Sequence, residues 1–271
     1  MLKRVLTGVI GIPFVILLMV LGNPILGIVG CIVALLGVYE FYQVVEKKYK
    51  PIKWIGYIAL IIFFLAYTWI IKHFSIFVSI LLITTLIGMV LTYPKHNIVD
   101  VALTLFAPLY VGLLLSFILM IRDAKYGEFL VWLIFISAWG SDTCAYFTGM
   151  FFGKHKLAPV LSPKKTIEGA IGGALGSALI AWIYTYIYTQ LIYPEMGTKM
   201  FFIVAIVFVS AILSQFGDLA ASAIKRMLEV KDFGYIFPGH GGVLDRFDSI
   251  LFVAPFIAIT LEFIAGLNII A

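Results

Sequence analysis

The run Ser75-Ile-Phe-Val-Ser-Ile-Leu-Leu-Ile-Thr-Thr-Leu-Ile-Gly-Met-Val-Leu-Thr92 decides the fold. It holds 18 residues with no charged side chain, and its apolar residues do not alternate with polar ones. A helix of about 20 such residues crosses the hydrocarbon core of a bilayer. In lipid every backbone N–H and C=O needs a partner within the protein, which leaves only helices and closed barrels. Barrel strands are short and alternate apolar with polar. The run therefore reads as a spanning helix.

Working outward, eight further apolar runs can be drawn: 4–21, 25–45, 54–71, 99–121, 128–150, 167–191, 200–219 and 246–269. Over the 271 residues, 63% are hydrophobic and 12% charged, with a mean hydropathy of +1.11. A soluble domain carries roughly twice that charge. The expectation is an all-α, polytopic membrane protein of about nine transmembrane helices. Met1-Leu2-Lys3-Arg4 and the run behind it lack a small-x-small cleavage site, so they read as a retained helix.

Orientation follows from the loops. With the N-terminus inside, fifteen of the 19 Lys and Arg fall in inside segments, and only Lys72, Arg122, Lys125 and Lys199 fall outside. The positive-inside rule thus predicts a cytoplasmic N-terminus and an outside C-terminus. The same asymmetry explains the net charge of +5, and no nucleic-acid partner is expected. Cys31 and Cys144 lie in apolar runs and read as small buried hydrophobes, neither a disulfide framework nor a zinc site. Residues 1–121 read as an N-terminal set of helices and 122–271 as a C-terminal set carrying the chemistry. There is no internal repeat and no separate soluble domain.

Two loops are long, Gly153–Thr166 and Ala220–Asp245, and both fall inside. The first contains Gly153 and Lys154, then Ser162-Pro163-Lys164-Lys165-Thr166, followed by Ile167-Glu168-Gly169. Pro163 is expected to fix the turn and Thr166 to cap the next helix. In that helix Gly169/Gly173 and Gly172/Gly176 are pairs at i,i+4, a spacing that lets helix backbones approach closely. Such a face serves a homodimer or packing within one subunit.

Ionisable groups inside membrane segments are costly and mark function. Glu40 has Lys47 and Lys48 nearby, and snorkelling to the interface is enough to explain it. Glu262 is deep in the last run with no obvious partner in the sequence. Asp142 stands in Ser141-Asp142-Thr143, about eight residues inside the helix end, and needs a polar cavity. If the eighth helix continues past Ser214-Gln215-Phe216-Gly217-Asp218, then Gln215, Asp218, Ser222 and Lys225 share one face, with Arg226 beside them. Next come Lys231-Asp232 and Pro238-Gly239-His240-Gly241-Gly242-Val243-Leu244-Asp245-Arg246-Phe247-Asp248. Glycines around His240 allow a backbone to approach a ligand closely and to aim N–H groups at an anion. Helix capping accounts for one of Asp245 and Asp248, but not for both together with an Arg and a glycine-flanked His.

These groups share one ingredient list: carboxylates for a hard cation such as Mg²⁺, Lys and Arg for phosphates, and glycine-rich backbone. That is the toolkit of phosphoryl or nucleotidyl transfer.

Ser222-Ala-Ile-Lys225-Arg226, Lys231-Asp232 and Pro238-Gly-His240-Gly241-Gly242-Val-Leu-Asp245-Arg246-Phe-Asp248 together resemble the signature of the phosphatidate cytidylyltransferases (CDP-diacylglycerol synthases). Ser141-Asp142-Thr-x-Ala-Tyr146, Ser162-Pro163-Lys164-Lys165-Thr166-x-Glu168-Gly169 and Gln215-x-Gly217-Asp218 also resemble that family. The likeness is specific over about 141–249. It implies a multi-pass enzyme of the inner or plasma membrane, with its site facing the cytoplasm. The implied reaction turns CTP and phosphatidate into CDP-diacylglycerol and pyrophosphate, with Mg²⁺ and room for a second cation.

On that resemblance Asp218 and Asp245 are expected to hold the metal, with Asp248 and Asp142 as further ligands or supports. Lys225, Arg226, Lys164 and Lys165 are expected to neutralise phosphates, and Gly239, His240, Gly241 and Gly242 to cradle the triphosphate. Lys231 and Arg246 join the expected substrate-binding set, and Ser222 and Gln215 orient their neighbours. Two rival readings stand beside it. A CTP-dependent lipid kinase would release CDP in place of pyrophosphate. An anion transporter would show flux across sealed vesicles.

Overall fold

A computed structural model describes residues 2–237, 239 and 241–263. Nearly all of it is helix: α1 (Leu2–Leu21), α2 (Ile25–Val45), α3 (Lys53–Leu65), α4 (Tyr67–Lys72), α5 (Phe74–Leu91), α6 (Ile98–Ala107), α7 (Leu114–Asp123), α8 (Gly127–Phe135), α9 (Ser141–Phe152), α10 (Ile167–Leu191), α11 (Met200–Met227) and α12 (Leu244–Phe263). The all-α membrane class therefore stands. Among the described residues six helical stretches are long and apolar enough to cross a bilayer. They are Ile25–Val45, Phe74–Leu91, Ile98–Asp123, Gly127–Phe152, Ile167–Leu191 and Pro194–Met227.

The expected count of nine is not confirmed. The run drawn at 54–71 is two helices, α3 and α4, broken at Ala66, whose backbone leaves the helical region at φ −121° and ψ 29°. The end of the last drawn run, 264–269, lies outside the described residues. Two long stretches hold a π turn, at Pro108–Leu113 and Ile136–Gly140. The second ends at the residue before Ser141-Asp142.

The chain folds as two units. One is Met1–Ser116 with Met227–Arg246, the other Phe117–Arg226 with Phe247–Ala271. In the first, most of the buried residues of α2 lie in its C-terminal half. Tyr42 is fully buried and donates its hydroxyl to the Thr104 carbonyl at 2.9 Å. The chain after α2 is tied to α6 by polar contacts that its apolar neighbours could not supply. Ile52 N donates to Thr104 Oγ1 at 2.8 Å and Lys50 N to Asp100 Oδ1 at 2.7 Å. Asn97 and Asp100 close a reciprocal capping box at the start of α6. An apolar cluster of Ile52, Ile55, Ala59 and Leu81 packs α3 on α5.

In the second unit α9 and α10 lie against each other. The glycine face of α10 is what brings them together. A Cβ at Gly173 would sit 2.9 Å from the Ser141 carbonyl oxygen, and Cβ atoms at Gly172 and Gly176 would overlap Thr148 and Cys144. The glycines thus serve packing within one chain. Between these helices runs a small antiparallel hairpin, β1 (Lys156–Ala158) and β2 (Ser162–Thr166). Pro163 lies inside β2, so it does not make the turn as expected. The turn is Pro159-Val160-Leu161. Thr166 caps α10 as expected, its Oγ1 accepting from Gly169 N at 3.1 Å.

Candidate active site

In the second unit α11 runs unbroken to Met227, so Gln215, Asp218, Ser222 and Lys225 do share a face. Ser222 Oγ donates to Asp218 Oδ1 at 3.5 Å, and Gln215 Nε2 donates to the Ala170 carbonyl at 3.0 Å. Gly217 explains how a second acid comes near. A Cβ there would stand 2.7 Å from the Asp248 carbonyl oxygen, so only glycine lets the α11 and α12 backbones touch at that level. The contact brings Asp248, which is 8% exposed, close to Asp218. Asp248 lies within electrostatic reach of Asp218, Lys225 and Asp142.

Lys165 is the other half of this arrangement. The hairpin carries it to Asp218, where Nζ and Oδ2 form an ion pair at 2.5 Å. The ammonium is out of solvent and finds no further hydrogen-bond acceptor among the described residues. An ammonium has three N–H donors. Beside it opens a cavity of about 340 Å³ whose polar wall is Asp142, Lys164, Lys165, Thr166 and Gln215. Ala145, Tyr146, Met150 and Leu157 make its apolar wall. Asp142 thus has the polar cavity that its place in an apolar run demanded. The hairpin itself is held by Glu168, whose carboxylate accepts from Lys154 N at 3.0 Å and contacts His155 Nδ1 at 2.6 Å.

In the first unit the segment before α12 is a tight turn. Phe237 N donates to Gly241 O at 2.9 Å, and Gly239 and Gly241 have φ of +81° and +83°, where glycine is favoured. Asp245, expected as a metal ligand, is 7% exposed. Its Oδ2 accepts from Phe233 N at 2.8 Å and Gly242 N at 3.0 Å. It therefore organises its own loop.

Glu40 overturns the snorkelling reading. Its side chain does not reach for water; it is 1% exposed. Oε1 accepts from Val243 N and Oε2 from Leu244 N, both at 2.9 Å. The carboxylate from α2 caps the N-terminus of α12 across 203 and 204 residues of sequence. Cβ atoms at Gly234 and Gly242 would both overlap it. The expected role of Gly242 was close approach to a ligand. What it approaches in the structure is Glu40, and its N–H is already given to Asp245.

Lys48, two turns further along the chain, reaches the other end of the same segment. It donates to Met227 O at 2.9 Å and pairs with Glu229 at 2.7 Å, holding the Glu229 carboxyl below the usual range. Lys164, Arg226, Lys231 and Arg246 are exposed, as is Gly239. His240 lies outside the described residues. Among the described residues no three His, Cys, Asp or Glu form a ready-made metal cluster.

Comparison with known proteins bears on what this arrangement does. A phosphatidate cytidylyltransferase of Thermotoga maritima is 36% identical over 266 residues, covering 97% of each chain. One of Staphylococcus aureus is 32% identical over 267 residues, 95% of this chain and 98% of the relative, and one of Staphylococcus haemolyticus is 33% identical over the same span. The cytidylyltransferase family model matches residues 2–264, from the first helix through the signature and past α12, and on that match the chain belongs to the cytidylyltransferase family.

Proposed function

We propose that the chain transfers the cytidylyl group of CTP to phosphatidate, giving CDP-diacylglycerol and pyrophosphate, at the cytoplasmic face of the plasma membrane. The observation that carries this reading is Lys165. Its buried ammonium, paired on one side with Asp218, has donors to spare at the polar wall of a cavity whose other wall is apolar. A phosphate monoester on an acyl glycerol has that same division. The names of the relatives support the same substrate.

A phosphate oxygen of phosphatidate attacks the α-phosphorus of CTP. The bond from that phosphorus to the bridging oxygen breaks, and pyrophosphate leaves with the electron pair. The nucleophile is already an anion near neutral pH, so it needs little help from a base. The barrier is repulsion between two polyanions, which fixed positive charge lowers in a water-poor site. Lys165 and Lys164 meet the lipid phosphate, and Lys225 meets the nucleotide. Ser222 and Gln215 hold their neighbours in place.

A hard cation fits the donor set. Three carboxylates, Asp142, Asp218 and Asp248, share one region against Lys165 and Lys225. Such crowding of like charge is relieved by a cation. Asp218 and Asp248 would hold Mg²⁺, with substrate phosphates completing its shell. Bound there, it would supply positive charge to the reacting phosphates. The acyl chains lie along Tyr146, Met150 and Leu157.

The test uses purified protein in detergent with phosphatidate, Mg²⁺ and CTP labelled at the α or the γ position. Label from the α position should enter a chloroform-soluble product, with γ label recovered as pyrophosphate. Label from the γ position entering lipid would make the protein a kinase. A folded preparation that labels no lipid from either position would reject both.

A further inference from the structure

We infer that Glu40 is a positioning residue for the reaction: a buried carboxylate on α2 that seats the glycine-rich segment 233–245. The inference rests on the reading of the chain as a CTP-dependent cytidylyltransferase, and it adds a residue that lies a hundred positions before the first signature motif.

Four observations meet at this side chain. It is 1% exposed, so its charge is not solvated by water. Both its oxygens accept backbone N–H groups, from Val243 and Leu244 at 2.9 Å each. Those amides open α12, where unsatisfied donors and the helix dipole favour an anion. The backbone at Gly234 and Gly242 is shaped around it, because a Cβ at either place would overlap its carboxylate. Asp245 takes the next amide back, Gly242 N, and also Phe233 N. Three successive amides, 242 to 244, are thus fixed by two carboxylates from different parts of the chain.

A helix N-terminus flanked by glycines ordinarily suggests a place for a substrate phosphate. Here the anion at that place is the protein's own. The consequence is that amides 242–244 do not hold CTP. They hold the loop, at whose exposed tip Gly239 stands. Glu40 touches no substrate, and its effect on turnover passes through the geometry of that tip.

The experiment compares the full-length wild type with Glu40→Gln, in detergent. Glutamine keeps the shape and one acceptor, but it turns an NH₂ group toward an amide that has nowhere else to donate. The expected result is a CTP KM raised at least threefold and a kcat lowered at least tenfold. The KM for phosphatidate should stay within twofold, with elution volume and unfolding midpoint close to wild type. A role in bulk stability alone would lower the midpoint and the active fraction and leave the CTP KM unmoved, which would overturn the inference. So would wild-type kinetics in the variant. A measurement on the unaltered protein stands independently: the Val243 and Leu244 amides should exchange with deuterium far more slowly than Gly239, and rapid exchange there would overturn the contact itself. A wild type that transfers no cytidylyl group would defeat the functional reading and not this contact, so the two failures are told apart.

Discussion

Asp218→Asn keeps the shape of the side chain and removes its charge. It should lower cytidylyl transfer by roughly a hundredfold or more, the scale seen when one preorganised electrostatic group is lost. Lys165 would lose its ion-pair partner, and the protein should still elute normally. Near-wild-type turnover would remove Asp218 from the cation-binding role. A second change tests why Gly242 is glycine. Gly242→Ala should lower the CTP kcat/KM sharply in the wild type, where the new Cβ meets Glu40. In a Glu40→Ala background the same change should cost much less, because the obstacle is gone. Equal losses in both backgrounds would mean that Gly242 is glycine for the sake of a ligand.

These two residues also mark what is legible in a sequence. Asp218 stands out because a carboxylate in an apolar run is costly and therefore conspicuous. Glu40 is just as costly, but two nearby lysines offered it an easy exit to water. Its true partners are amides of Val243 and Leu244, which every sequence position but proline possesses. A backbone donor two hundred residues away leaves no mark on composition or spacing.

At the level of elements, the pairing of α9 with α10 depends on small residues that let backbones meet. Gly172→Leu would drive a side chain into Thr148. Overpacking of this kind costs about 1–3 kcal/mol, so the unfolding midpoint in detergent should fall by several degrees. An unchanged midpoint would mean the two helices separate without loss. The Gly-x-x-x-Gly pattern was readable as close packing, since its spacing is a property of any helix. The hairpin that carries Lys164 and Lys165 was not. Pro163 reads as the turn residue, yet it lies inside β2, and Pro159 stands in the turn instead. The break of one apolar run into α3 and α4 at Ala66 was equally silent, because Ala is a good helix former and nothing local announces the kink.

For the whole molecule, the lysines and arginines predict which loops meet the cytoplasm. In a background lacking Cys31 and Cys144, a cysteine placed at Lys231 should react with an impermeant thiol reagent only after inner-face access. One placed at Lys125 should react from the outside. The reverse pattern would invert the topology and move the proposed site to the wrong side of the membrane for CTP. Membership of the membrane class was legible because it is a bulk property, summed over 271 residues. The grouping of Met227–Arg246 with the first 116 residues was not, since it depends on contacts such as those of Glu40 and Lys48 that join distant parts of the chain.

The reach of Glu40 across the chain also bears on how the protein is made. Helix α2 leaves the ribosome some two hundred residues before the amides that will receive its carboxylate. Until Val243 and Leu244 arrive, an ionised Glu40 in hydrocarbon would be without those partners, so α2 should rest displaced toward water and settle only after those two residues have been made. Helix α2 is then translated long before it reaches its final seat, and a nascent chain stalled before residue 243 should leave Glu40 open to solvent.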